Sequence, residues 1–166
     1  MELQLPAVLE ANEKYQHGDF HEAPRTPQPK RHLVILTCMD ARLDLFRALG
    51  LDLGDAHILR NAGGRASDDA LRSLVVSSHL LGTREIGVIH HTNCGLEGTT
   101  QQEVAAKTGV EGIDYLTFAD STTSVAEDVE KVRACGQLAE GVVVWGGVYD
   151  VDDGSLRIVA EPAPAS

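Results

Sequence analysis

The stretch that decides the fold is an apolar run ending in a thiol, a carboxylate and a guanidinium, Val34-Ile35-Leu36-Thr37-Cys38-Met39-Asp40-Ala41-Arg42. The run shows no polar alternation, which is typical of a strand covered by helices on both faces of a parallel sheet. A second run of the same kind is Ile86-Gly87-Val88-Ile89-His90-His91-Thr92-Asn93-Cys94-Gly95. Functional residues of such sheets gather at the carboxyl ends of the strands, so we expect the polar ends of both runs to lie close together.

The rest of the chain alternates between strand and helix patterns. The helical patterns cover residues 5–15, 43–49, 69–81, 99–107 and 124–134, and the strand patterns cover residues 32–37, 56–60, 85–90, 141–149 and 155–159. Crossovers of this length return strands in parallel. The pattern therefore predicts a three-layer α/β fold, with a mostly parallel central sheet of four to five strands flanked by helices. The turn residues at 152–154 predict that a hairpin adds the last strand.

The chain divides into three segments by composition. Residues 1–31 combine the first helix with an extended connection that contains three prolines, and we expect them to form an arm that reaches across another subunit. Residues 32–160 are predicted to form the single α/β domain that carries the site. Residues 161–166 are predicted to be a frayed tail.

Charge and hydropathy exclude several classes of partner. The formal net charge of -11 disfavours nucleic acid and anionic lipid, which are bound by clustered Lys and Arg. The first ten residues lack the pattern of a signal peptide, and no apolar run approaches the roughly 20 residues of a membrane helix. The three cysteines are too few for a disulfide framework. We expect a cytoplasmic protein with a small-molecule substrate, without nucleic-acid or membrane partners.

Three residue types that bind zinc follow the two buried runs. Cys38 ends the first, and His91 and Cys94 follow the second with a spacing that places both at one turn. Catalytic zinc sites commonly use three protein ligands and leave the fourth position to water or substrate. The alternative is that the cysteines are ordinary buried residues and the histidine a hydrogen-bonded loop residue. Asp40 and Arg42 beside the three favour the interpretation as a site for one Zn²⁺ per chain.

Two further residues of these types are predicted to be structural. His90 precedes the proposed ligand, and the alternation of a strand turns it to the other face of the sheet. Cys135 falls within a helical pattern together with Val132 and Leu138. We expect neither residue to bind the metal.

The motifs Cys38-x-Asp40-x-Arg42 and His91-x-x-Cys94 resemble those of the β-class carbonic anhydrases. The segments Arg60-Asn61-Ala62-Gly63-Gly64 and Gly147-x-Tyr149-Asp150 are similar to that family as well. The resemblance covers most of the chain from residue 32 to residue 159. Ala41 stands where many members have Ser, and the segment between residues 95 and 140 is compact, which suggests a short subgroup.

The resemblance implies a function and a set of roles. It implies that Cys38, His91 and Cys94 bind Zn²⁺, that Asp40 and Arg42 form a dyad beside the metal, and that the chain forms a homodimer or a dimer-based homo-oligomer. The expected reaction is reversible hydration of carbon dioxide to bicarbonate and a proton by zinc-bound hydroxide. Residues 32–160 are then the zinc-binding catalytic domain.

The sequence leaves open both the role of Asp40 and the choice of function. Asp40 either orients the hydroxide as a hydrogen-bond acceptor or becomes a fourth zinc ligand in a closed state. Pairing with Arg42 through two hydrogen bonds would hold the carboxylate off the metal. The same site would also serve a hydrolase of carbonyl sulfide or carbon disulfide. A third interpretation is a non-catalytic zinc or redox sensor in which Cys38 and Cys94 are regulatory thiols.

Overall fold

The computed structural model describes residues 3–18, 20 and 24–166. The helices are α1 Leu5–His17, α2 Leu45–Leu49, α3 Asp68–Leu80, α4 Gln101–Thr108 and α5 Ser121–Arg133. The strands are β1 Leu33–Cys38, β2 Ala56–Asn61, β3 Glu85–His91, β4 Val143–Tyr149 and β5 Leu156–Pro164. The remainder of the predicted arm, residues 1, 2, 19 and 21–23, lies outside the described residues.

The strands form one sheet in the order β2-β1-β3-β4-β5. The first four strands are parallel, and β5 runs antiparallel to β4, to which a tight turn joins it. The predicted α/β fold with a mostly parallel five-stranded sheet and a final hairpin is therefore confirmed, with element ends shifted by a few residues. β1 and β3 are almost wholly buried, as their lack of polar alternation indicates, because they lie in the middle of the sheet.

Local side-chain chemistry sets where the helices begin. The Ser67 side chain accepts a hydrogen bond from the backbone of Ala70 and caps α3. The Asp120 side chain accepts one from Thr123 and caps α5, which therefore begins at Ser121, three residues before the predicted start. Gly50 ends α2 with a left-handed backbone, a conformation that glycine adopts without steric cost.

The main core lies between the sheet and the helices α3 and α5. Its buried side chains are mostly branched aliphatic residues, among them Val34, Leu36, Leu74, Val88, Val125 and Val129. A smaller apolar cluster, formed by Cys38, Leu43, Leu45, Cys94 and Phe118, lies at the carboxyl end of β1 and β3. The apolar surroundings keep water away from two of the three candidate ligands and set the dielectric around them.

The prediction of a frayed tail at residues 161–166 is wrong. β5 continues to Pro164 and pairs with β4 from Leu156 to Pro164, with two register shifts along the way. The backbone of Ala165 donates to Val142, that of Ser166 donates to Arg133, and the Arg133 guanidinium donates to the Glu161 carbonyl. An edge strand needs hydrogen bonds on one side alone and so accepts Pro162 and Pro164.

The helix α1 differs from the others because every one of its described residues is exposed. Its apolar side chains are open to solvent in the single chain, with 62% of Leu5, 58% of Val8 and 60% of Leu9 exposed. Among the described residues, no helix is both long and apolar enough to cross a membrane.

Candidate metal centre

Two neighbouring strands and the turn after one of them bring three candidate ligands together. Cys38 is the last residue of β1, His91 is the last residue of β3, and Cys94 lies in the turn that follows β3. The two Sγ atoms and a ring nitrogen of His91 all lie within 4.8 Å of one another. All three residues are buried, with 5% of Cys38, 0% of His91 and 8% of Cys94 exposed. The convergence predicted from the two apolar runs is present.

One ring nitrogen of His91 is free to bind a metal at the point where the three candidate ligands meet. Its Nδ1 donates a hydrogen bond to the Thr92 carbonyl over 2.9 Å, which leaves Nε2 as the nitrogen with a free lone pair. Nε2 of His91 is buried and has no hydrogen-bond partner among the described residues. A buried acceptor of this kind is costly unless a cation or a donor meets it. Two sulfurs and one such nitrogen fit Zn²⁺ with a fourth position left open.

A hydrogen bond links the two thiols and lets them share one proton. It lowers the pKa of Cys38, against the effect of burial there, and raises the pKa of Cys94, where burial adds to the rise. Burial opposes the charged form of His91, but the contact with Cys38, the hydrogen bond to the Thr92 carbonyl and the charges of Cys38 and Asp40 together outweigh this effect and raise the pKa of the imidazole. The interaction between the two thiols therefore already favours a thiolate at Cys38. A divalent cation would displace these protons, since metal ligands bind in their deprotonated forms.

Asp40 and Arg42 form a close ion pair beside the three ligands. Arg42 Nε donates to Oδ1 of Asp40 over 3.0 Å, and Nη2 donates to Oδ2 over 2.8 Å. The two parallel hydrogen bonds expected from the sequence are thus present, and they hold the pKa of Asp40 well below its usual range. Asp40 Oδ2 lies 3.8 Å from Nε2 of His91, so the carboxylate faces the convergence point. Arg42 Nη2 also donates to the Asn93 carbonyl over 3.0 Å.

A tight turn of residues 61–65 supports the end of β1. The Asn61 side chain accepts from the backbone nitrogen of Arg65 and donates to its carbonyl, both over 2.8 Å, which closes the turn. Gly64 has a φ of 71° and packs directly on β1, since a Cβ there would lie 2.9 Å from the backbone nitrogen of Cys38. The glycine is therefore required by both its backbone angle and its close approach to a ligand.

Arg60 holds the same strand end from the neighbouring strand. Its Nε donates to the Cys38 carbonyl over 2.9 Å, and its Nη2 donates to the Asp40 carbonyl over 2.6 Å. In the sequence, Arg60 belongs to a segment similar to the family, but no role was predicted for it. A basic residue at the carboxyl end of β2, next to β1 in the sheet, was the signal that could have indicated this contact.

A second support reaches the site from α5. Ser121 Oγ donates to the carbonyl of His91 over 2.9 Å. The Glu97 side chain accepts hydrogen bonds from both the backbone nitrogen and the hydroxyl of Ser121, over 2.7 and 2.8 Å. These residues lie outside the ligand motifs, so nothing in the motifs indicated them.

The two residues predicted to be structural lie apart from the three ligands. His90 points to the other face of the sheet, where its Nε2 is 3.1 Å from the Gly64 carbonyl and 3.3 Å from Oδ2 of Asp128. Cys135 is half-buried, lies just beyond the end of α5 and is not a member of the ligand set.

Comparison with known proteins identifies the family. A family model described as carbonic anhydrase matches residues 33–135. β-Carbonic anhydrase 1 of Mycobacterium tuberculosis is 35% identical over 156 residues, which cover 91% of this chain and 94% of that protein. A carbon disulfide hydrolase of Acidithiobacillus thiooxidans is 32% identical over 152 residues, which cover 76% of each. The crystal structure of a carbonic anhydrase from Streptococcus mutans matches with a TM-score of 0.84 and 42% identity, covering 96% of this chain and 99% of that chain. The sulfur and nitrogen ligands, the fold and these matches together show that the chain belongs to the β-carbonic anhydrase family.

Proposed function

We propose that this chain is a zinc-dependent carbonic anhydrase that converts carbon dioxide and water reversibly into bicarbonate and a proton. The observation that carries the proposal is the buried convergence of Cys38, His91 Nε2 and Cys94 beside the Asp40–Arg42 pair. Membership of the family and the identity to β-carbonic anhydrase 1 support the choice of reaction.

Cys38, His91 and Cys94 would hold the zinc ion. When bound, zinc supplies Lewis acidity that makes a water molecule nucleophilic near neutral pH. Two negative sulfur ligands reduce the net charge at the metal compared with three neutral imidazoles, so we expect turnover to rise toward alkaline pH. The apolar cluster around Cys38 and Cys94 keeps bulk water from this corner of the site, which suits an apolar substrate such as carbon dioxide.

Asp40 acts as the acceptor that orients the nucleophile. Its carboxylate faces the convergence point and remains ionised because Arg42 stabilises the charged form. A carboxylate that stays charged accepts a hydrogen bond from the attacking water and so directs the oxygen lone pair toward carbon dioxide. The proton leaves by way of solvent, to which this pair is open in the single chain.

Arg42 holds the Asp40 carboxylate in the position from which it accepts this hydrogen bond. Its two hydrogen bonds to the carboxylate and the third to the Asn93 carbonyl fix the side chain between the two loops of the site. Without the guanidinium, the carboxylate would be free to become the fourth ligand of the metal and to close the site.

The test is stopped-flow measurement of proton release from carbon dioxide by protein whose zinc content has been determined. We expect one zinc per chain and turnover that is lost when a chelator removes the metal and restored when zinc is added back. Full zinc content without hydration of carbon dioxide would contradict the proposed reaction.

A second candidate function is hydrolysis of carbon disulfide or carbonyl sulfide at the same site. The observation that favours it is the 32% identity to a carbon disulfide hydrolase over most of both chains. Sulfide release from the two sulfur compounds, measured on the same zinc-containing protein, decides between the substrates. Dominant sulfide release would replace carbon dioxide as the substrate without changing the metal site.

A sensor without turnover is the weakest of the three candidates. Regulatory thiols need no charged acceptor beside the metal, whereas Asp40 and Arg42 are held in a defined geometry next to it. Zinc-loaded protein that acts on none of the three compounds would favour the sensor.

We further propose that the enzyme is a cytoplasmic homodimer, or an oligomer built from dimers, in which α1 packs on a second copy of the chain. The three cysteines are free, and the metal site needs two of them as thiols, which a reducing compartment preserves. The exposed apolar side chains of α1 need a covering surface, and three prolines within residues 24–32 lie between this helix and the domain.

A further inference from the structure

A buried ion pair lies beneath the turn that supports the metal site. Arg65 Nε donates to Oδ2 of Asp128 over 2.7 Å, and Nη2 donates to Oδ1 over 3.3 Å. The side chains are 11% and 5% exposed, so the pair is almost completely removed from water. Burial opposes the charge on Asp128, but hydrogen bonds from His90 and Arg65 outweigh this and lower the pKa of the carboxyl. None of the steps of the proposed reaction uses this pair.

The pair is connected to two of the metal ligands through His90 and Gly64. His90 is fully buried, and its Nε2 lies within reach of both Asp128 Oδ2 and the Gly64 carbonyl, at 3.3 and 3.1 Å. Both neighbours accept hydrogen bonds, so the proton resides on Nε2. His90 precedes the ligand His91 in β3, and Gly64 is in close contact with the backbone of the ligand Cys38. A shift of Asp128 would therefore reach both strands that carry ligands.

The guanidinium extends the network toward the third ligand. Arg65 Nη1 donates to the Leu116 carbonyl over 3.0 Å, and Leu116 has a left-handed φ of 53°, which is unfavourable for a leucine. The Arg65 guanidinium also lies over the Phe118 ring, 5.3 Å from its centre. Phe118 belongs to the apolar cluster that contains Cys38 and Cys94. Arg65 thus holds the loop that covers the sulfur ligands.

We propose that Asp128 and Arg65 are positioning residues of the metal site, which set the separation of Cys38, His91 and Cys94 through Gly64, His90 and Phe118. The inference rests on the proposed zinc site and deepens it, because it assigns the affinity for the metal in part to residues that do not touch the metal. Groups that orient metal ligands typically contribute about 10- to 100-fold to metal affinity.

A general contribution to folding is the competing explanation, and the chain offers a matched control for it. Arg31 and Asp55 form a second ion pair, with 2.9 Å between Nε and Oδ2 and a carboxylate that is 9% exposed. Asp55 immediately precedes β2, at the amino end of the parallel strands, whereas the ligands lie at their carboxyl ends. Loss of Asp55 should therefore reduce stability without changing the metal site.

The experiment compares Asp128→Asn with Asp55→Asn. Zinc affinity is measured by competition with a chelator, and the visible spectrum of the Co²⁺-substituted protein reports on the ligand geometry. We expect Asp128→Asn to bind zinc about 10- to 100-fold more weakly and to change the Co²⁺ bands. Asp55→Asn should retain both properties of the wild type although its melting temperature falls. Unchanged zinc affinity in Asp128→Asn, or an equal loss in both variants, would overturn the inference.

A double variant keeps the inference testable if a single change prevents folding. Arg65→Met combined with Asp128→Leu removes both charges, and apolar replacement of a buried pair often preserves stability. Weaker zinc binding by this folded variant supports a positioning role, and wild-type affinity refutes it. Because the measurement reads metal binding, it remains decisive even if the wild-type protein carries full zinc and fails to hydrate carbon dioxide.

Discussion

Arg42 is the residue on which the geometry of the open site depends. It makes four hydrogen bonds, three to Asp40 and one to the Asn93 carbonyl. Asp40 follows β1 and Asn93 lies between the two ligands at the end of β3, so one side chain connects both halves of the site. Asn93 has a φ of 55°, a left-handed conformation that asparagine tolerates better than most residues and that turns its carbonyl toward Arg42.

Replacement of Arg42 by alanine should remove activity and leave the metal in place. We expect turnover of carbon dioxide to fall by at least about 100-fold, because the acceptor carboxylate loses its fixed position and can approach the metal. Stopped-flow kinetics and zinc analysis of the same preparation measure the two effects. The control is Arg47→Ala, which removes an arginine whose side chain is 90% exposed and should change neither.

Normal turnover by Arg42→Ala would mean that the Asp40 carboxylate keeps its position without the guanidinium. Loss of zinc along with activity would assign Arg42 to metal retention instead of to orientation of the carboxylate.

At the residue scale, the sequence was sufficient to find the groups that face the metal but not the groups behind them. Cys38, His91 and Cys94 could be predicted because they end apolar runs, and such run ends meet at one edge of a parallel sheet. Ser121 and Asp128 could not, because their contacts depend on how α5 packs against β3. Their spacing of seven residues places both on the buried face of one helix, a signal that is common to many core helices.

At the scale of elements, α5 supplies both the main cover of the sheet and the supports of the site. Its first turn contacts the His91 carbonyl through Ser121, and its third turn contacts His90 through Asp128. The predicted hairpin strand at residues 155–159 is present as β5, which continues to Pro164, beyond the predicted end. As the edge strand of the sheet, β5 accepts its prolines because it needs hydrogen bonds on one side alone.

The amino-terminal cap of α5 predicts a dependence of stability on pH. A hydrogen bond from the backbone of Thr123 lowers the pKa of Asp120 in the folded chain. A carboxyl whose folded pKa lies below the unfolded value of about 3.9 stabilises the protein above that value and loses this contribution as the pH falls through the folded pKa. Asp120→Asn keeps an oxygen that caps the helix but cannot ionise.

We therefore expect the wild type to melt at a higher temperature than Asp120→Asn at neutral pH, with a difference that shrinks as the pH falls below about 4. Thermal melts followed by circular dichroism measure it. The matched control is Ser67→Ala, which removes the uncharged cap of α3 and should cost the same at every pH. A difference for Asp120→Asn that does not vary with pH would show that the charge of the cap contributes nothing.

Taking the molecule as a unit, one chain supplies all three candidate metal ligands, whereas every described residue of α1 is exposed. The fold class follows from general rules for parallel sheets, and the proposed packing of α1 on a second copy rests on the exposed apolar side chains of this helix. The sequence indicated the arm through its prolines, which stiffen the connection between α1 and the domain.

Polar substitutions on α1 should therefore separate the oligomer. We expect Leu5→Ser combined with Leu9→Ser to shift the protein from a dimer or larger oligomer to a monomer, because α1 then loses its apolar contacts with the second copy of the chain. Light scattering coupled to size-exclusion chromatography measures the mass. Glu13→Ser on the same helix is the control and should leave the mass unchanged. A wild-type chain that is monomeric at micromolar concentration would contradict the proposed role of α1.

The position of α5 in the chain also bears on how the protein matures. The strands that carry the ligands are synthesised by residue 94, whereas the helix that contacts the His91 carbonyl begins at Ser121. A nascent chain therefore exposes two thiols and an imidazole before their support exists. Tight capture of zinc is expected only after α5 has left the ribosome and docked, which makes metal loading a late event in biogenesis.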